Sequence, residues 1–142
     1  MTDLTPQPQV WHTFRARDAR SVIRFLVDVV GFEETVVYGD GDVVHHAELS
    51  WPPGGGVMLG SVREDDDGAC TAPPGTSAAY VVTDDIDGLY QKAKAAGARI
   101  LAEPHPTDYG SYDFALADPE GNRWNFGTYR GHPREANPSG ST

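Results

Sequence analysis

The apolar residues of this chain follow a helical spacing in two separate segments. The inward positions, three and four residues apart, are Val22, Phe25, Leu26 and Val29 in the first segment and Ile86, Leu89, Tyr90 and Ala93 in the second. Each pattern predicts one amphipathic helix. Asp18 and Asp85 precede the two helices as predicted N-caps, because an aspartate side chain can accept a hydrogen bond from the free amides of a first helical turn. Gly31 and Gly97 end them, since glycine adopts the left-handed conformation without a steric cost.

Each helix follows one short predicted strand and precedes three more. The predicted strands are 12–17, 33–38, 43–50 and 57–62 in the first half and 79–83, 99–102, 112–117 and 123–129 in the second. Turns over 51–55 and 118–122, both with proline and glycine, join the last two strands of each half. Each half is therefore a βαβββ module.

The second module repeats the first at a constant distance along the sequence. Asp85 corresponds to Asp18 and Gly121 to Gly54, each 67 positions further on. A repeat of this length indicates a duplicated supersecondary unit. The predicted fold class is α+β, with two tandem βαβββ modules that form a cup of curved mixed sheet and carry their helices outside.

Three segments lack the periodicity of the modules. The predicted organisation is a disordered N-terminus (1–9), a first module (10–62), an acidic linker rich in proline and glycine (63–76), a second module (77–130) and a disordered tail (131–142).

Composition excludes several classes of partner. The chain has 142 residues and a net charge of -10, which would repel nucleic acid and anionic lipid surfaces. No apolar run approaches the roughly 20 residues of a membrane helix, and no signal segment is evident. The lone Cys70 cannot form an internal disulfide, so a cytoplasmic location is expected.

Several motifs together resemble one known family. They are the helix entry Arg17-Asp18-Ala19, the strand His46-Ala47-Glu48-Leu49, and the run 108–114 that leads to the turn Asp118-Pro119-Glu120-Gly121-Asn122. The chain resembles the vicinal oxygen chelate superfamily, which contains glyoxalases, bleomycin resistance proteins and extradiol dioxygenases. This resemblance covers about residues 10 to 130 and implies the fold, but it does not determine the reaction.

The resemblance also implies where a metal would bind. In metal-dependent members one ligand comes from the first and the last strand of each module, and these positions map onto Trp11, Met58, Ala78 and Asn125. None of the four is a good ligand for a hard or borderline divalent ion. We therefore expect no metal and no cofactor at the usual centre.

Three polar residues share the side of the strands that would face the cup. They are His46 and Glu48 of the first module and Asp113 of the second, which corresponds to His46. They could hydrogen-bond one another in a polar binding cavity, form an unusual metal site, or provide Glu48 and His46 as a general acid/base pair. His12 has the opposite parity and is predicted to lie beneath the helix as a satisfied core histidine.

Aromatic residues complete the predicted cup. The predicted ligand-binding residues are Trp11, Thr13, His46, Glu48, Met58, Tyr80, Tyr109, Tyr112, Asp113 and Asn125. This mixture of flat walls and a few polar groups favours a metal-free small-molecule-binding protein. By its resemblance to the bleomycin resistance branch, it would be a homodimer that sequesters an aromatic or cationic compound. The alternative is a lyase, isomerase or epimerase that uses Glu48 and His46.

Overall fold

The computed structural model describes residues 8–63 and 72–133, which form two modules of similar architecture. The first contains β1 (His12–Ala16), α1 (Ala19–Phe25) with a π-helical continuation (Leu26–Val30), β2 (Glu33–Asp40), β3 (Val43–Ser50) and β4 (Gly56–Ser61). The second contains β5 (Ala78–Val82), α2 (Ile86–Ala95), β6 (Arg99–Pro106), β7 (Tyr112–Ala117) and β8 (Arg123–Gly127).

Each module forms its own four-stranded mixed sheet. The strand orders are β1-β4-β3-β2 and β5-β8-β7-β6, with the first pair of each sheet parallel and the other pairs antiparallel. Thr13 lies opposite Met58 in the first sheet, and Tyr80 lies opposite Asn125 in the second. Equivalent pairs are again 67 positions apart, so the α+β fold of tandem βαβββ modules is confirmed.

Both helices begin at the predicted caps. The Asp18 carboxylate accepts a hydrogen bond from the Ser21 amide at 3.1 Å, and the Asp85 carboxylate accepts one from the Gly88 amide at 3.0 Å. These bonds satisfy amides that have no partner within the helix.

The first helix ends differently from the second, because it contains one extra residue. Gly31 follows Asp18 by 13 positions, whereas Gly97 follows Asp85 by 12. The extra residue is taken up in the π-helical turn, where the amides of Gly31 and Phe32 both donate to the Leu26 carbonyl at 2.9 Å. The turn also buries Val30, at 4% exposure, while Val29 is partly buried and packs against the same core, as predicted.

Strand β6 is four residues longer than the prediction, which ended it before Pro104. It continues to Pro106 because it is an edge strand, where a proline need not donate to a neighbouring strand.

The two modules share one hydrophobic core, and Trp124 lies at their junction. Its ring, 1% exposed, meets Phe14 and Phe32 of the first module edge-on at centroid distances of 6.0 and 5.8 Å. Its indole nitrogen donates to Asp118 at 2.9 Å. The same Asp118 carboxylate accepts from the backbone of Glu120 and from Asn122, so the turn before β8 holds Trp124 in place.

Glu120 connects this turn to the first module. Its carboxylate accepts from the amides of Arg17 and Asp18 at 2.8 and 3.0 Å, where the chain enters α1. In the other direction, the Trp51 indole nitrogen donates to the Val82 carbonyl at 3.1 Å. Each module therefore uses the turn before its last strand to contact the other.

The predicted disordered N-terminus, linker and tail lie largely outside the described residues, and these assignments stay predictions. Within residues 8–63 and 72–133, no helix has the length and apolar character that a bilayer span requires.

Replacing Glu120 by glutamine should lower the free energy of unfolding by about 1–3 kcal/mol. Both backbone amides then lose a charged acceptor in a nearly buried site, and one of them faces the NH2 group of the glutamine, which cannot accept. Urea unfolding followed by circular dichroism measures the change. Glu103→Gln is the matched control, since Glu103 is an exposed glutamate on β6, and it should change stability by less than about 0.5 kcal/mol. Equal effects of the two substitutions would contradict the proposed link between modules.

Candidate ligand-binding site

The predicted site residues fall into two groups on two sheets. Each sheet packs one face against its helix and leaves the other, which we call its open face, without a helix. Thr13, Met58 and Glu48 form one row across the open face of the first sheet, from β1 through β4 to β3. The group on the second sheet is centred on Tyr80, Tyr109 and Asp113.

A histidine and a glutamate form the polar centre of the first open face. His46 Nε2 and Glu48 Oε2 lie 2.8 Å apart, and both side chains are partly exposed. Arg15, on the same face of β1, lies over Gly60, where an added Cβ would come within 3.0 Å of the guanidinium. This face thus combines one cation, one carboxylate and a histidine that hydrogen-bonds the carboxylate.

Trp11 lies beside this polar centre. The residue is partly buried, and an added Cβ on Gly56 would come within 2.8 Å of the indole ring. The ring therefore covers Gly56, the first residue of β4. Gly56 has the same strand parity as Met58, so Trp11 lies on the first open face, as predicted.

The second open face is built around a buried carboxylate. Asp113 is 8% exposed and accepts hydrogen bonds from three hydroxyl groups. Tyr109 donates to Oδ2 at 2.9 Å, Tyr80 donates to Oδ1 at 3.2 Å, and Ser111 also donates to Oδ1. Three donors satisfy the charge of Asp113 without a cation.

Gly127 makes this arrangement possible. It lies opposite Asp113 in the sheet, and an added Cβ would overlap both the Tyr80 hydroxyl and Asp113 Oδ1. Any larger residue at this position would separate the tyrosine from the carboxylate.

Three tyrosine rings form a cleft above Asp113. Tyr80, Tyr109 and Tyr129 line it together with Val82, Arg130 and Gly131, and its volume is about 570 Å³. Tyr129 meets Tyr109 edge-on at a centroid distance of 5.4 Å. We call this feature the tyrosine cleft. Its size suits a planar aromatic molecule.

The charges around the tyrosine cleft are paired. Arg130 donates two hydrogen bonds to Asp84, each 3.0 Å long, and the guanidinium lowers the pKa of the Asp84 carboxyl. The hydrogen bond to Asp113 raises the pKa of Tyr109, because losing the proton would place two negative charges side by side. Tyr109 therefore remains a neutral phenol at physiological pH.

Two predicted residues have other roles. The Tyr112 hydroxyl donates to Asp87 of α2 at 2.8 Å, so this ring faces the helix, and the predicted position of Tyr112 in the cup is wrong. Tyr112 follows the bend that leads into β7, and its parity is that of Phe114. Asn125 accepts from Arg123 and donates to the Ala79 carbonyl, so both ends of its amide are occupied.

The four positions that correspond to metal ligands do not suit a divalent ion. A thioether, an indole, a methyl group and an amide engaged on both sides offer no anionic or imidazole donor. In the ranges 8–63 and 72–133, no cluster of three or more His, Cys, Asp or Glu could hold a metal ion.

Sequence reasoning missed three residues of these faces. Arg15 and Tyr129 share strand parity with the predicted Thr13 and Asn125, so alternation along the strands could have identified both. Ser111 precedes β7 and gave no such signal, because its contact with Asp113 depends on the bend before that strand.

His12 differs from its prediction. It lies at the module junction, where its ring meets Trp124 edge-on at 6.0 Å and lines a cavity of about 540 Å³. Among the described residues, no atom satisfies its buried Nε2. The ring packs against the core residues Phe14 and Trp124, as predicted, but the prediction that its polar atoms are satisfied is wrong.

With this geometry established, comparison of the sequence identifies the family. The Glyoxalase/Bleomycin resistance protein/Dioxygenase superfamily matches residues 9–126, and the chain belongs to this superfamily. No curated protein matches the sequence.

Solved structures share the fold at low sequence identity. TioX from Micromonospora sp. ML1 is 24% identical with a TM-score of 0.70, over 83% of this chain and 97% of that one. TnmS3, an antibiotic binding protein from Streptomyces sp. CB03234, is 16% identical with a TM-score of 0.67, over 89% and 97% of the two chains. A superfamily member from Sphaerobacter thermophilus DSM 20745 is 20% identical with a TM-score of 0.62, over 84% and 97%. These similarities establish the architecture.

The environment of His12 predicts a pH-dependent contribution to stability. Burial lowers the pKa of His12 below the ordinary value of 6.5, so the unfolded chain binds this proton more readily than the folded chain. The contribution of neutral His12 to the free energy of unfolding is complete above pH 6.5. It is lost as the pH falls from 6.5 towards the lower pKa that His12 has in the folded state.

His12→Phe should remove this pH dependence, because it keeps an aromatic ring beside Trp124 but cannot take up a proton. Urea unfolding at pH 7.5 and pH 5.5 gives the change for each protein, and the wild-type loss should exceed that of His12→Phe. His45→Gln, at an exposed histidine of β3, is the control and should behave as the wild type. An unchanged pH dependence in His12→Phe would contradict the assignment.

Proposed function

We propose that this superfamily member is a metal-free small-molecule-binding protein that holds a planar aromatic compound in the tyrosine cleft without changing it chemically. One observation carries the proposal: two tyrosine hydroxyls and a serine hydroxyl satisfy a buried aspartate beneath a cleft of aromatic rings. The rings provide flat contact area, and the hydroxyl network holds two of them in position.

The same network disfavours a catalytic role for Asp113. A general base must accept a proton from its substrate, but the oxygens of this carboxylate already accept three hydroxyl protons. Because its charge is satisfied internally, Asp113 also offers little attraction to a cationic ligand. Of the two predicted ligand classes, aromatic and cationic compounds, this favours an aromatic compound in the tyrosine cleft.

TnmS3 supports the further proposal that the protein sequesters an antibiotic. That structural neighbour is an antibiotic binding protein with the same architecture. Its identity of 16% makes the ligand class a proposal for this chain, and the tyrosine cleft is the feature that a flat antibiotic chromophore would use.

We further propose that the protein acts as a homodimer in the cytoplasm. The first open face leaves Arg15, His46 and Glu48 partly exposed, and a second copy could cover this polar face through a two-fold interface. Light scattering at micromolar concentration should give the mass of two chains. A mass of one chain throughout that range would contradict the dimer.

The hydrogen-bonded pair of His46 and Glu48 supports a second candidate function. At 2.8 Å the histidine can exchange a proton with the glutamate, which is the arrangement that an isomerase, epimerase or lyase would use beside a carbonyl group. Under this alternative a bound compound would be recovered as a product, and Glu48→Gln would abolish the conversion.

The tyrosine cleft can be tested with 2-naphthol, a small planar phenol. Tyr109→Ala should weaken binding by about 1–3 kcal/mol, because one aromatic wall is lost, and isothermal titration calorimetry measures the change. Tyr109 is 57% exposed, so its removal should leave the fold intact. Mass spectrometry should recover the naphthol unchanged.

Two control variants locate the binding. Tyr38→Ala removes a tyrosine that is 63% exposed on β2 of the other sheet, and Tyr112→Phe removes only the hydroxyl that contacts Asp87. Both should bind 2-naphthol as the wild type does. A loss of affinity in Tyr38→Ala equal to that in Tyr109→Ala would place the ligand outside the tyrosine cleft.

Purified protein incubated with Ni²⁺, Zn²⁺, Mn²⁺ or Fe²⁺ and then desalted should retain no stoichiometric ion, because the four family positions lack suitable donors. Elemental analysis measures the metal content. One ion per chain that disappears in Glu48→Ala or His46→Ala would instead favour the enzyme.

A further inference from the structure

The direction of the hydrogen bonds in the tyrosine cleft restricts the chemistry of its ligand. Asp113 has no proton to give when ionised, so the bonds from Tyr80 and Tyr109 must run from hydroxyl to carboxylate. Each tyrosine has a single hydroxyl proton. Tyr109 gives its proton to Asp113, and Tyr80, whose oxygen also lies 3.1 Å from the Ser111 hydroxyl, gives its own to Asp113 or to Ser111. A ligand in the cleft therefore meets phenol oxygens that can accept hydrogen bonds.

These oxygens are also better acceptors than those of a free phenol. A hydroxyl that donates to a carboxylate becomes polarised, and its remaining lone pair accepts more strongly. The hydrogen bond from Tyr109 to Asp113 raises the pKa of this phenol, which keeps the proton in place. The Ser111 hydroxyl is committed in the same direction, to Asp113 Oδ1.

The other groups around the cleft are one ion-paired arginine and apolar walls. Arg130 directs two of its five N–H groups to Asp84 at 3.0 Å, so its charge is paired with that carboxylate. Val82 and the three aromatic rings provide apolar walls. The part of the cleft next to Asp113 therefore has apolar walls, and its polar groups are the tyrosine hydroxyl oxygens, which accept hydrogen bonds from a ligand.

We propose that the tyrosine cleft selects neutral planar aromatic compounds that carry a hydrogen-bond donor, such as a phenolic O–H or an aromatic N–H, over compounds of the same shape that can only accept. This inference rests on the proposed function and adds the polarity of the ligand to it. Tyr80 and Tyr109 are its specificity-determining residues, and Asp113 is a positioning residue that acts through them.

The test compares 2-naphthol with its methyl ether, 2-methoxynaphthalene, which keeps the fused rings and the oxygen but has no proton to donate. Calorimetric titration at pH 7 should show 2-naphthol binding about tenfold more tightly, the scale of one additional hydrogen bond to a polarised acceptor. The ether is the more apolar of the two compounds, so simple partitioning into an apolar cleft would give the opposite order.

Two variants assign the preference to the tyrosine oxygens. Tyr109→Phe keeps the ring and removes one acceptor, so it should reduce the ratio of the two affinities, and Tyr80→Phe/Tyr109→Phe should abolish it. Because the double variant leaves Asp113 with fewer donors, circular dichroism must show that it is folded. If it is not, the single variant decides the test, since Tyr109 is largely exposed.

Asp113→Asn tests whether Asp113 sets the polarity of the tyrosine hydroxyls or only stabilises the fold, because only the first role changes the ratio of the two affinities. The amide adds donors beneath the tyrosines, so at least one hydroxyl proton is free to turn towards the ligand. The preference for 2-naphthol should shrink in this variant while 2-methoxynaphthalene binds at least as well as before.

The possible results separate this inference from the proposed function. Equal affinity of the two compounds for the wild-type protein, or tighter binding of the ether, would overturn the donor selectivity and leave aromatic binding intact. A preference that survives in both tyrosine variants would overturn the assignment to Tyr80 and Tyr109. Failure of both compounds to bind at millimolar concentration would overturn the donor selectivity and the proposed function together.

Discussion

The packing of Trp124 against the first module determines how the two halves of this protein fit together. Asp118 holds the indole nitrogen, while the ring contacts His12, Phe14 and Phe32 across the junction. Because a buried indole needs both a partner for its nitrogen and a close-fitting apolar site, few arrangements of the modules would satisfy it. The motif that resembled the superfamily, from Asp118 to Asn122, is the structural support of this contact. Its residues do not line the tyrosine cleft.

Much of the fold was predictable because each module repeats simple local patterns. The helix caps Asp18 and Asp85 and the βαβββ succession of elements along the chain follow from hydrophobic spacing and turn residues. The π-helical turn was not predictable in this way, since a single extra residue can be inserted in a helix or in the loop after it. The extension of β6 was missed because Pro104 ends a strand inside a sheet but is tolerated at an edge.

The site was only partly predictable, because alternation along a strand gives the face of a side chain but not its partners. It placed Tyr80 and Asp113 on a common face, where the structure joins them by a hydrogen bond. It could not show that Ser111 and Tyr109 would also bind the same carboxylate, which depends on the path of the chain before β7. Tyr112 was misplaced because its position at the entry to β7 was given more weight than its parity with Phe114.

The contacts between the modules are related by an approximate two-fold symmetry, because each module contacts the other through the turn before its last strand. Glu120, from the turn before β8, binds the amides that follow β1, and Trp51, from the turn before β4, binds the end of β5. Trp51 corresponds to Asp118 and Pro53 to Glu120, so the two contacts use equivalent segments with different chemistry. The interface between the two similar modules is therefore asymmetric in its chemistry. Because both modules lie in one chain, each turn has to complement only the other module, and the two turns need not carry the same residues.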